Sequence, residues 1–188
     1  MGLSFKSGDV TLRPLTVDDA EITLKWRNSD RARHLKRGAQ TLWDQARWID
    51  AREKDGDLNF VIEYRGEPVG MIGITGIDQT HKHCELGREL IGERDKVGTV
   101  PVAWVTEILL CDYIFDTLGL HLIHGDVMIE NTGMIKTREY LGYHRDGVLR
   151  DFYVYDGVFK DTVLLSLMDR EYWGVCRPKL SQLVGFCS

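Results

Sequence analysis

The sequence lacks any apolar run long enough to cross a membrane, and it has few cysteines. A spanning helix needs about 18 or more consecutive apolar residues, and the first nine residues also lack the apolar core of a signal peptide. The four cysteines show neither CxxC nor metal-ligand spacing: Cys84, Cys111, Cys176 and Cys187. We therefore expect a cytoplasmic protein with reduced thiols, no metal and no membrane partner.

The chain also lacks the excess of positive charge that nucleic-acid-binding proteins use. Lysine and arginine number 24 against 29 aspartates and glutamates, which gives a net charge of −5 at pH 7. We expect no nucleic-acid partner, since an acidic protein has no overall attraction for a phosphate backbone. With 43% hydrophobic and 28% charged residues, the 188 residues fit one globular domain. We predict a single domain over residues 1–188, with about 174–188 as a C-terminal tail.

Two helix starts are predicted in the first third of the chain. Thr16 and Thr41 are each followed, three residues later, by an aspartate, which is the spacing of a capping box at a helix N-terminus. The first helix is expected to run to about Asn28 and the second to about Lys54. The second helix has three apolar residues available for an inner face: Leu42, Ala46 and Ile49.

Seven strands are predicted from period-2 alternation, from β-branched composition and from turn residues such as Asp156-Gly157 between them. They cover about residues 10–13, 60–64, 69–74, 83–91, 122–129, 143–155 and 158–168. In the fourth of these strands, alternating positions are occupied by Cys84, Leu86 and Leu90. Side chains at such positions are expected on one face of the sheet.

Two more helices are predicted between the later strands. The longest spans about Val100 to Leu118, and a shorter one runs from about Asn131 to Tyr140 and ends at Gly142. The tail after Trp173 contains Pro178 and shows no clear period. The element order β-α-α-β-β-β-α-β-α-β-β predicts an α/β fold of the α+β type, with a mixed, mostly antiparallel sheet of about seven strands and helices on both faces.

Several motifs resemble the GNAT superfamily of N-acetyltransferases. Residues 113–120, 130–143 and 147–161 resemble successive segments of its branch of ribosomal-protein and amino-sugar acetyltransferases. In the first half, short runs are similar to sugar-nucleotide acetyltransferases of the pseudaminic-acid pathway: Leu12-Arg13-Pro14-Leu15, Trp26-Arg27-Asn28 and Cys84-Glu85-Leu86-Gly87. The resemblance covers about residues 9–173. It implies the GNAT fold, acetyl-CoA as co-substrate, a small-molecule amine as acceptor, and a monomer or homodimer.

The family's phosphate loop, Q/R-x-x-G-x-G/A, aligns with residues 93–98, but Lys96 stands where its first glycine belongs. A helix N-terminus here would offer N–H groups and partial positive charge to a pyrophosphate. Backbone donors are expected at Thr99, Val100, Val102 and Ala103. For Arg94 and Lys96, a phosphate contact and a solvated loop are both open. The expected cofactor-binding residues are Leu86, Gly87, Arg88, Arg94, Lys96, Val97, Gly98, Thr99, Val100 and Asn131.

The reaction needs a base, because an alkylammonium has a pKa near that of lysine and only about one part in 10³ is unprotonated at neutral pH. The resemblance places Glu85 at the position of the family's glutamate, and a solvated strand face is its alternative. His83 lies on the same side of a regular strand and is a second candidate. An oxyanion donor is expected in the backbone of Leu86 to Arg88.

The resemblance also implies a tyrosine seven residues after Asn131 that protonates the departing thiolate, but residue 138 is an arginine. Tyr140 is the nearest phenol and is therefore a candidate. Two residues turn a helical side chain by about 200°, so Tyr140 cannot simply replace the missing tyrosine. The general acid stays unassigned, and a thiol with a pKa near 8.5 can leave with little assistance.

A basic and aromatic cluster is predicted to bind the acceptor. Seven of the twelve residues from 26 to 37 are basic or aromatic, and arginine makes bidentate contacts with phosphate. The candidates are Trp26, Arg27, Asn28 and Arg31. This favours a nucleotide-linked amino sugar, against a solvated loop with Trp26 in the core. A protein N-terminus as acceptor is the alternative, and a non-catalytic CoA-binding regulator also stays open.

Overall fold

The computed structural model describes residues 3–185, and eight strands form its one sheet. Their bounds are β1 Phe5–Ser7, β2 Val10–Pro14, β3 Leu58–Tyr64, β4 Glu67–Asp78, β5 His83–Ile91, β6 Leu122–Met128, β7 His144–Tyr155 and β8 Val158–Met168. The strand order is β1-β2-β3-β4-β5-β6-β8-β7, and every neighbouring pair is antiparallel except β5 and β6. The predicted mixed sheet is confirmed, with β1 as an additional strand.

Seven helices lie between and after the strands in the described part of the chain. Their bounds are α1 Ala20–Arg27, α2 Leu42–Lys54, α3 Arg94–Val97, α4 Val102–Asp112, α5 Thr132–Leu141, α6 Asp169–Glu171 and α7 Arg177–Val184. The single helix expected over 100–118 is divided, since α4 passes into a π-helical turn at Tyr113–Thr117. None of these helices is long and apolar enough to cross a membrane.

Helix α7 lies in the tail, where no regular element was predicted. Pro178 stands in its first turn, where a missing N–H costs little, and Leu180 is fully buried against the core. The proline therefore begins a helix here and does not mark an irregular tail. Among the cysteines, Cys84, Cys111 and Cys176 are buried and free, and Cys187 lies outside the described residues.

Helix α2 begins at the predicted cap but buries a different face. The Thr41 hydroxyl accepts a hydrogen bond from the Asp44 N–H at 3.1 Å. Leu42 is 51% exposed, so its assignment to the inner face was wrong. The inward side chains are Ile49 and Gln45, whose amide donates to the Thr23 hydroxyl of α1 at 2.9 Å.

The sheet separates two hydrophobic cores, because successive side chains of a strand point to opposite faces. Phe60 and Ile62 of β3 belong to the larger core, which includes α4 and α7. Val61 belongs to the smaller core, with Trp26 of α1 and Ile49 of α2. Helices therefore cover both faces, as the sequence predicted.

Strand β5 contains a β-bulge. Gly87 pairs with Gly73 of β4 and Leu90 pairs with Met71, so the two residues 88–89 oppose a single residue of β4. Arg88 has a φ of 60°, in the left-handed region, which costs a residue other than glycine about 1–2 kcal/mol.

The bulge reverses the side-chain alternation of β5. Cys84 and Leu86 pack in the larger core, whereas Leu90 packs in the smaller one on the opposite face. The expectation that these three side chains share a face was therefore wrong. The extra residue at the bulge shifts the period-2 pattern by one position.

The sheet opens between β5 and β6. These strands pair in parallel at only three positions, of which the last joins Glu85 to His124. Both strands continue past this point, β5 to Ile91 and β6 to Met128, without pairing to each other. The gap lies next to the bulge and is the entrance to the site described below.

Gly92, directly after β5, provides a test of this packing. Trp26 is 1% exposed, and a Cβ atom at Gly92 would lie 2.2 Å from its indole ring. We predict that Gly92→Ala lowers the free energy of unfolding by about 1–3 kcal/mol, the cost typical of overpacking. Chemical denaturation followed by circular dichroism measures the change.

The matched control is Gly133→Ala in the first turn of α5, where an added Cβ has no neighbour within 4 Å. Alanine there is expected to leave stability unchanged or raise it slightly, because it restricts the unfolded chain. Equal stability of the two variants would contradict the close packing of Gly92 on Trp26.

Candidate active site

The gap between β5 and β6 opens into a cavity of about 960 Å³. Its wall includes residues 85–91 of β5 and 124–128 of β6, together with side chains of α2 on one face of the sheet and of α4 and α5 on the other. The cavity is therefore accessible to groups from both faces. Its volume lies at the upper end of the ~300–1,000 Å³ typical of small-molecule sites.

Glu85 lies on the cavity wall where the two strands separate. A Cβ atom at Gly87 would lie 3.2 Å from Glu85 Oε1, so this carboxylate lies over a residue without a side chain. His124 stands opposite on β6, and burial lowers the pKa of its imidazole below the usual value. The Glu85 carboxyl group and an imidazole with a lowered pKa therefore stand side by side at this point.

His83 is not among the residues that line the cavity. Its ring centroid lies 5.3 Å from that of His124, and its Nδ1 is buried without a hydrogen-bond partner in the described residues. His83 thus reaches the cavity only by way of His124.

Two further polar side chains on the wall were not predicted. The Asp126 carboxylate of β6 accepts hydrogen bonds from the Tyr153 hydroxyl and, at 3.3 Å, from the Thr162 hydroxyl. Burial and the bond to Asp126 raise the pKa of Tyr153. The only sequence signal was that Asp126 lies two residues after His124 on the same strand. Tyr153 is brought to the cavity by the β7–β8 hairpin, which pairs beyond β6.

The loop from 28 to 41 is attached to that hairpin over the cavity. Lys36 Nζ lies 3.4 Å from Asp126 Oδ1 and 4.9 Å from the centroid of the Tyr153 ring. Arg37 pairs with Asp156 and lies over the Tyr155 ring. These contacts hold the predicted basic cluster above the gap between the strands.

The acceptor candidates divide into two pairs. Arg27 and Arg31 line the cavity, and each donates a hydrogen bond to a backbone carbonyl, of Lys36 at 2.6 Å and of Ile91 at 2.9 Å. Trp26 and Asn28 do not line it. Trp26 is a core residue whose Nε1 donates to Glu93 at 2.9 Å. The Asn28 amide donates to two backbone carbonyls. Both side chains therefore stabilise the fold.

Arg88 connects the bulge to the wall on the α2 side. Its guanidinium donates to Asp57 at 3.0 Å and to Asn59 at 2.9 Å, and it stacks on the ring of Trp48. The three contacts hold the left-handed backbone conformation in place. Together with Leu86 and Gly87, Arg88 lines the cavity beside the bulge, where the sequence predicted an oxyanion donor.

A smaller cavity of about 230 Å³ lies at the N-terminus of α4. It is lined by Val97, Thr99 and Val100 from the predicted cofactor set, and Arg94 lines both cavities. Gly98, which lies between Val97 and Thr99 in the sequence, has a φ of 56° and a ψ of −122°, a conformation that favours glycine. An amino end of a helix with an adjacent arginine suits a pyrophosphate.

Three details of that prediction need correction. The Val100 N–H donates to Val97 O at 3.0 Å and the Val102 N–H to Val100 O at 2.8 Å, so these two expected donors are already used. Lys96 lines neither cavity, because its Nζ bonds to Glu67 of β4 at 3.1 Å.

Helix α5 brings Asn131 to the cavity but not Tyr140. The Asn131 side chain lines the wall and accepts a hydrogen bond from the Met134 N–H at 3.4 Å as the helix cap. Tyr140 is 57% exposed, lies off the wall, and has Lys179 Nζ 4.7 Å from its ring centroid. Arg138 occupies the inward position, because two residues correspond to about 200° of helical rotation.

The site has the parts of an acyltransferase: a carboxylate at the junction of two separating strands, and a helix N-terminus at the cofactor end. The model of the acetyltransferase (GNAT) domain matches residues 9–144. The chain therefore belongs to the GNAT acetyltransferase family, whose members use acetyl-CoA. It is an N-acetyltransferase by family.

Similar proteins agree on this family. An uncharacterized N-acetyltransferase of Bacillus licheniformis, p20, is 29% identical over 173 residues, which cover 88% of this chain and 96% of that protein. The spermidine N(1)-acetyltransferase of Escherichia coli (strain K12) is 24% identical over 116 residues, 62% of this chain and 61% of that enzyme. The solved structure of a GCN5-related N-acetyltransferase from Brucella melitensis shares the fold, with a TM-score of 0.81 at 22% identity over 97% of this chain and 86% of that one.

Arg94 and Lys96 provide a matched pair for testing the cofactor end. We predict that Arg94→Ala weakens CoA binding about tenfold or more, because a hydrogen bond to a charged group, which contributes ~1.5–3 kcal/mol, is lost. Lys96→Ala is expected to leave the Kd nearly unchanged. Isothermal titration calorimetry with CoA measures both, and equal losses would contradict the placement of Arg94.

Proposed function

We propose that the protein transfers the acetyl group of acetyl-CoA to the primary amine of a small anionic molecule, specifically a nucleotide-linked amino sugar. The observation that carries this proposal is the charge of the cavity wall. Eight lysine and arginine side chains line the cavity against four aspartates and glutamates, although the whole chain has a net charge of −5.

Arg27 is the most informative of these cations. Burial and the neighbouring charge of Arg88 both lower the pKa of its guanidinium, and no carboxylate contributes to that shift. A half-buried cation that is not neutralised by the protein can stabilise an anion brought by a ligand. Arg31 and Arg33 of the same loop line the cavity nearby, with side chains bonded to a carbonyl and to His34.

The same charges argue against a polyamine as acceptor, although two relatives and several similar solved structures are named for spermidine acetylation. A polycation would meet Arg27, Arg31, Arg33 and Arg88 on the wall, and like charges at short range in a partly buried site repel each other. A phosphorylated acceptor is attracted by the same groups. Arginine also binds phosphate oxygens in bidentate geometry.

Glu85 takes the proton of the acceptor amine in this mechanism. The free amine then attacks the carbonyl carbon of the acetyl group, and the C–N bond forms. Backbone N–H groups of Leu86 to Arg88, beside the bulge, stabilise the oxyanion. The C–S bond breaks as the tetrahedral intermediate collapses, the nitrogen gives up its second proton to solvent as the amide forms, and CoA leaves as a thiolate or thiol.

Replacement of the base is expected to have a pH-dependent effect. Glu85→Gln lowers kcat by about 10²–10⁴-fold, the usual contribution of a general base. The loss grows as the pH falls, because the fraction of unprotonated amine drops about tenfold per pH unit below its pKa. Rates between pH 6 and pH 9 measure the effect, and an equal loss at every pH would remove Glu85 from proton transfer.

Arg27→Met tests the acceptor class. The KM for an amino-sugar nucleotide is expected to rise about tenfold or more, since a charge-assisted contact of ~1.5–3 kcal/mol is lost, while the KM for the same amino sugar without phosphate changes little. Arg150→Met, on the exposed part of β7, is the matched control. Acetylation of peptide N-termini or spermidine in preference to amino-sugar nucleotides would overturn the proposal.

A further inference from the structure

A buried cluster of charged side chains lines the cavity on the α4–α5 face of the sheet. It consists of Glu89 on β5, Glu107 on α4, Arg138 on α5 and Tyr143 after α5. The side chains of Arg138, Glu89 and Glu107 are 9%, 10% and 0% exposed. Glu89, Arg138 and Tyr143 belong to the cavity wall, and none of them has a role in the mechanism so far.

Arg138 does not neutralise the two carboxylates equally. Its Nη1 pairs closely with Glu107 Oε1, which also accepts a hydrogen bond from the Tyr143 hydroxyl at 3.0 Å. Its Nη2 lies 3.5 Å from Glu89 Oε2, at the limit of a hydrogen bond. Glu89 Oε1 and Glu107 Oε2 are both buried without a partner in the described residues, but Glu107 has two close contacts through Oε1, whereas Glu89 has only the long one to Arg138. Glu89 is therefore the undercompensated carboxylate of the cluster.

Such a carboxyl group keeps its proton to a higher pH than an exposed glutamate does. Burial raises the pKa of Glu89, Arg138 opposes this shift and the charge of Glu107 adds to it, and together they bring the pKa to about 7. The other titratable neighbours are Tyr143 and the thiols of Cys111 and Cys176, and burial raises the pKa of each of these three groups. They are thus uncharged around neutral pH.

The bulge places Glu89 opposite the proposed base. Glu85 precedes the bulge and Glu89 follows it, so their side chains leave β5 on opposite faces of the sheet although four residues of a regular strand would keep them on one face. Both line the same cavity. An acyl group held at the gap between them has a base on the α2 side and an acid on the α4–α5 side.

We propose that Glu89 is the general acid that protonates the sulfur of CoA, and that Arg138 positions it. The inference rests on the acetyl transfer proposed above. As the C–S bond breaks, its electron pair passes to sulfur, and sulfur takes the proton of the Glu89 carboxyl group. Glu89 is left as a carboxylate beside Arg138 and regains a proton from solvent, while Glu85 releases the amine's proton to solvent. Arg138 itself cannot be the donor, because a guanidinium does not lose its proton in proteins.

Glu89→Gln tests the assignment, since glutamine keeps the shape and hydrogen bonding of the side chain but cannot release a proton. Thiol release from acetyl-CoA is measured with hydroxylamine as acceptor, a small amine that is unprotonated at neutral pH and needs no phosphate contacts. We expect kcat to fall about 10²-fold or more, with an unchanged Kd for CoA. Glu139→Gln, exposed on α5, is the control and keeps the wild-type rate.

The pH profile separates an acid from a structural residue. The wild-type kcat is expected to decline as the pH rises through the pKa of Glu89, because the proton is lost, and Glu89→Gln lacks this decline. Glu107→Gln removes a negative charge that favours the protonated form, so the decline moves to lower pH. Profiles of identical shape in the wild type and Glu89→Gln would overturn the proposal, while leaving Glu85 and the acceptor class untouched.

A measurement without turnover covers the case in which a variant is poorly active for other reasons. Infrared difference spectra between pH 6 and pH 8 are expected to show the C=O band of a protonated carboxyl group in the wild type and not in Glu89→Gln. Absence of that difference between the two proteins would contradict a proton on Glu89. Thermal unfolding of both proteins verifies that the cluster is intact.

Discussion

The incomplete pairing of β5 with β6 is the constraint on which the rest of the site depends. Three parallel pairs hold the two strands together, and beyond the pair of Glu85 with His124 their backbones separate. The bulge after Gly87 adds a left-handed residue at the same place, held by the contacts of Arg88 with Asp57 and Asn59. A sheet that is continuous elsewhere thus contains one opening with rigid edges. Such rigidity suits a reaction that needs several groups at fixed positions.

The opening also separates two electrostatic environments. On the α1–α2 side, Arg27 at the end of α1 leaves positive charge uncompensated. On the α4–α5 side, Glu89 and Glu107 share one buried guanidinium, so negative charge is in excess and the pKa of Glu89 is raised. Removing a proton from the acceptor and giving one to the leaving group are opposite demands. In the proposed mechanism, Glu85 and Glu89 on the two faces of one strand meet these two demands separately.

Local signals in the sequence were sufficient for most of the fold. The cap at Thr41 and the turn at Asp156-Gly157 act over a few residues, and both stand where predicted. The bulge in β5 is different, because a one-residue shift in pairing depends on how β4 and β5 fit together. The prediction that Leu86 and Leu90 share a face of the sheet was therefore wrong. Helix α7 was missed since its stability comes from packing of Leu180 against the core and not from its own periodicity.

Short motifs that resemble the family pointed to Glu85 and Asn131, and both residues line the cavity, while their roles stay predictions. Tertiary contacts decided the rest, including the burial of Trp26 and the partners of Arg138. The arginine at 138 also restricts how this protein can diverge. Exchanging it alone for tyrosine would leave Glu107, which has no exposed surface, and Glu89 without a counter-charge in the interior. A buried ion without its partner typically costs ~3–5 kcal/mol. Any evolutionary path to a phenol at this position must therefore change the two glutamates together with it.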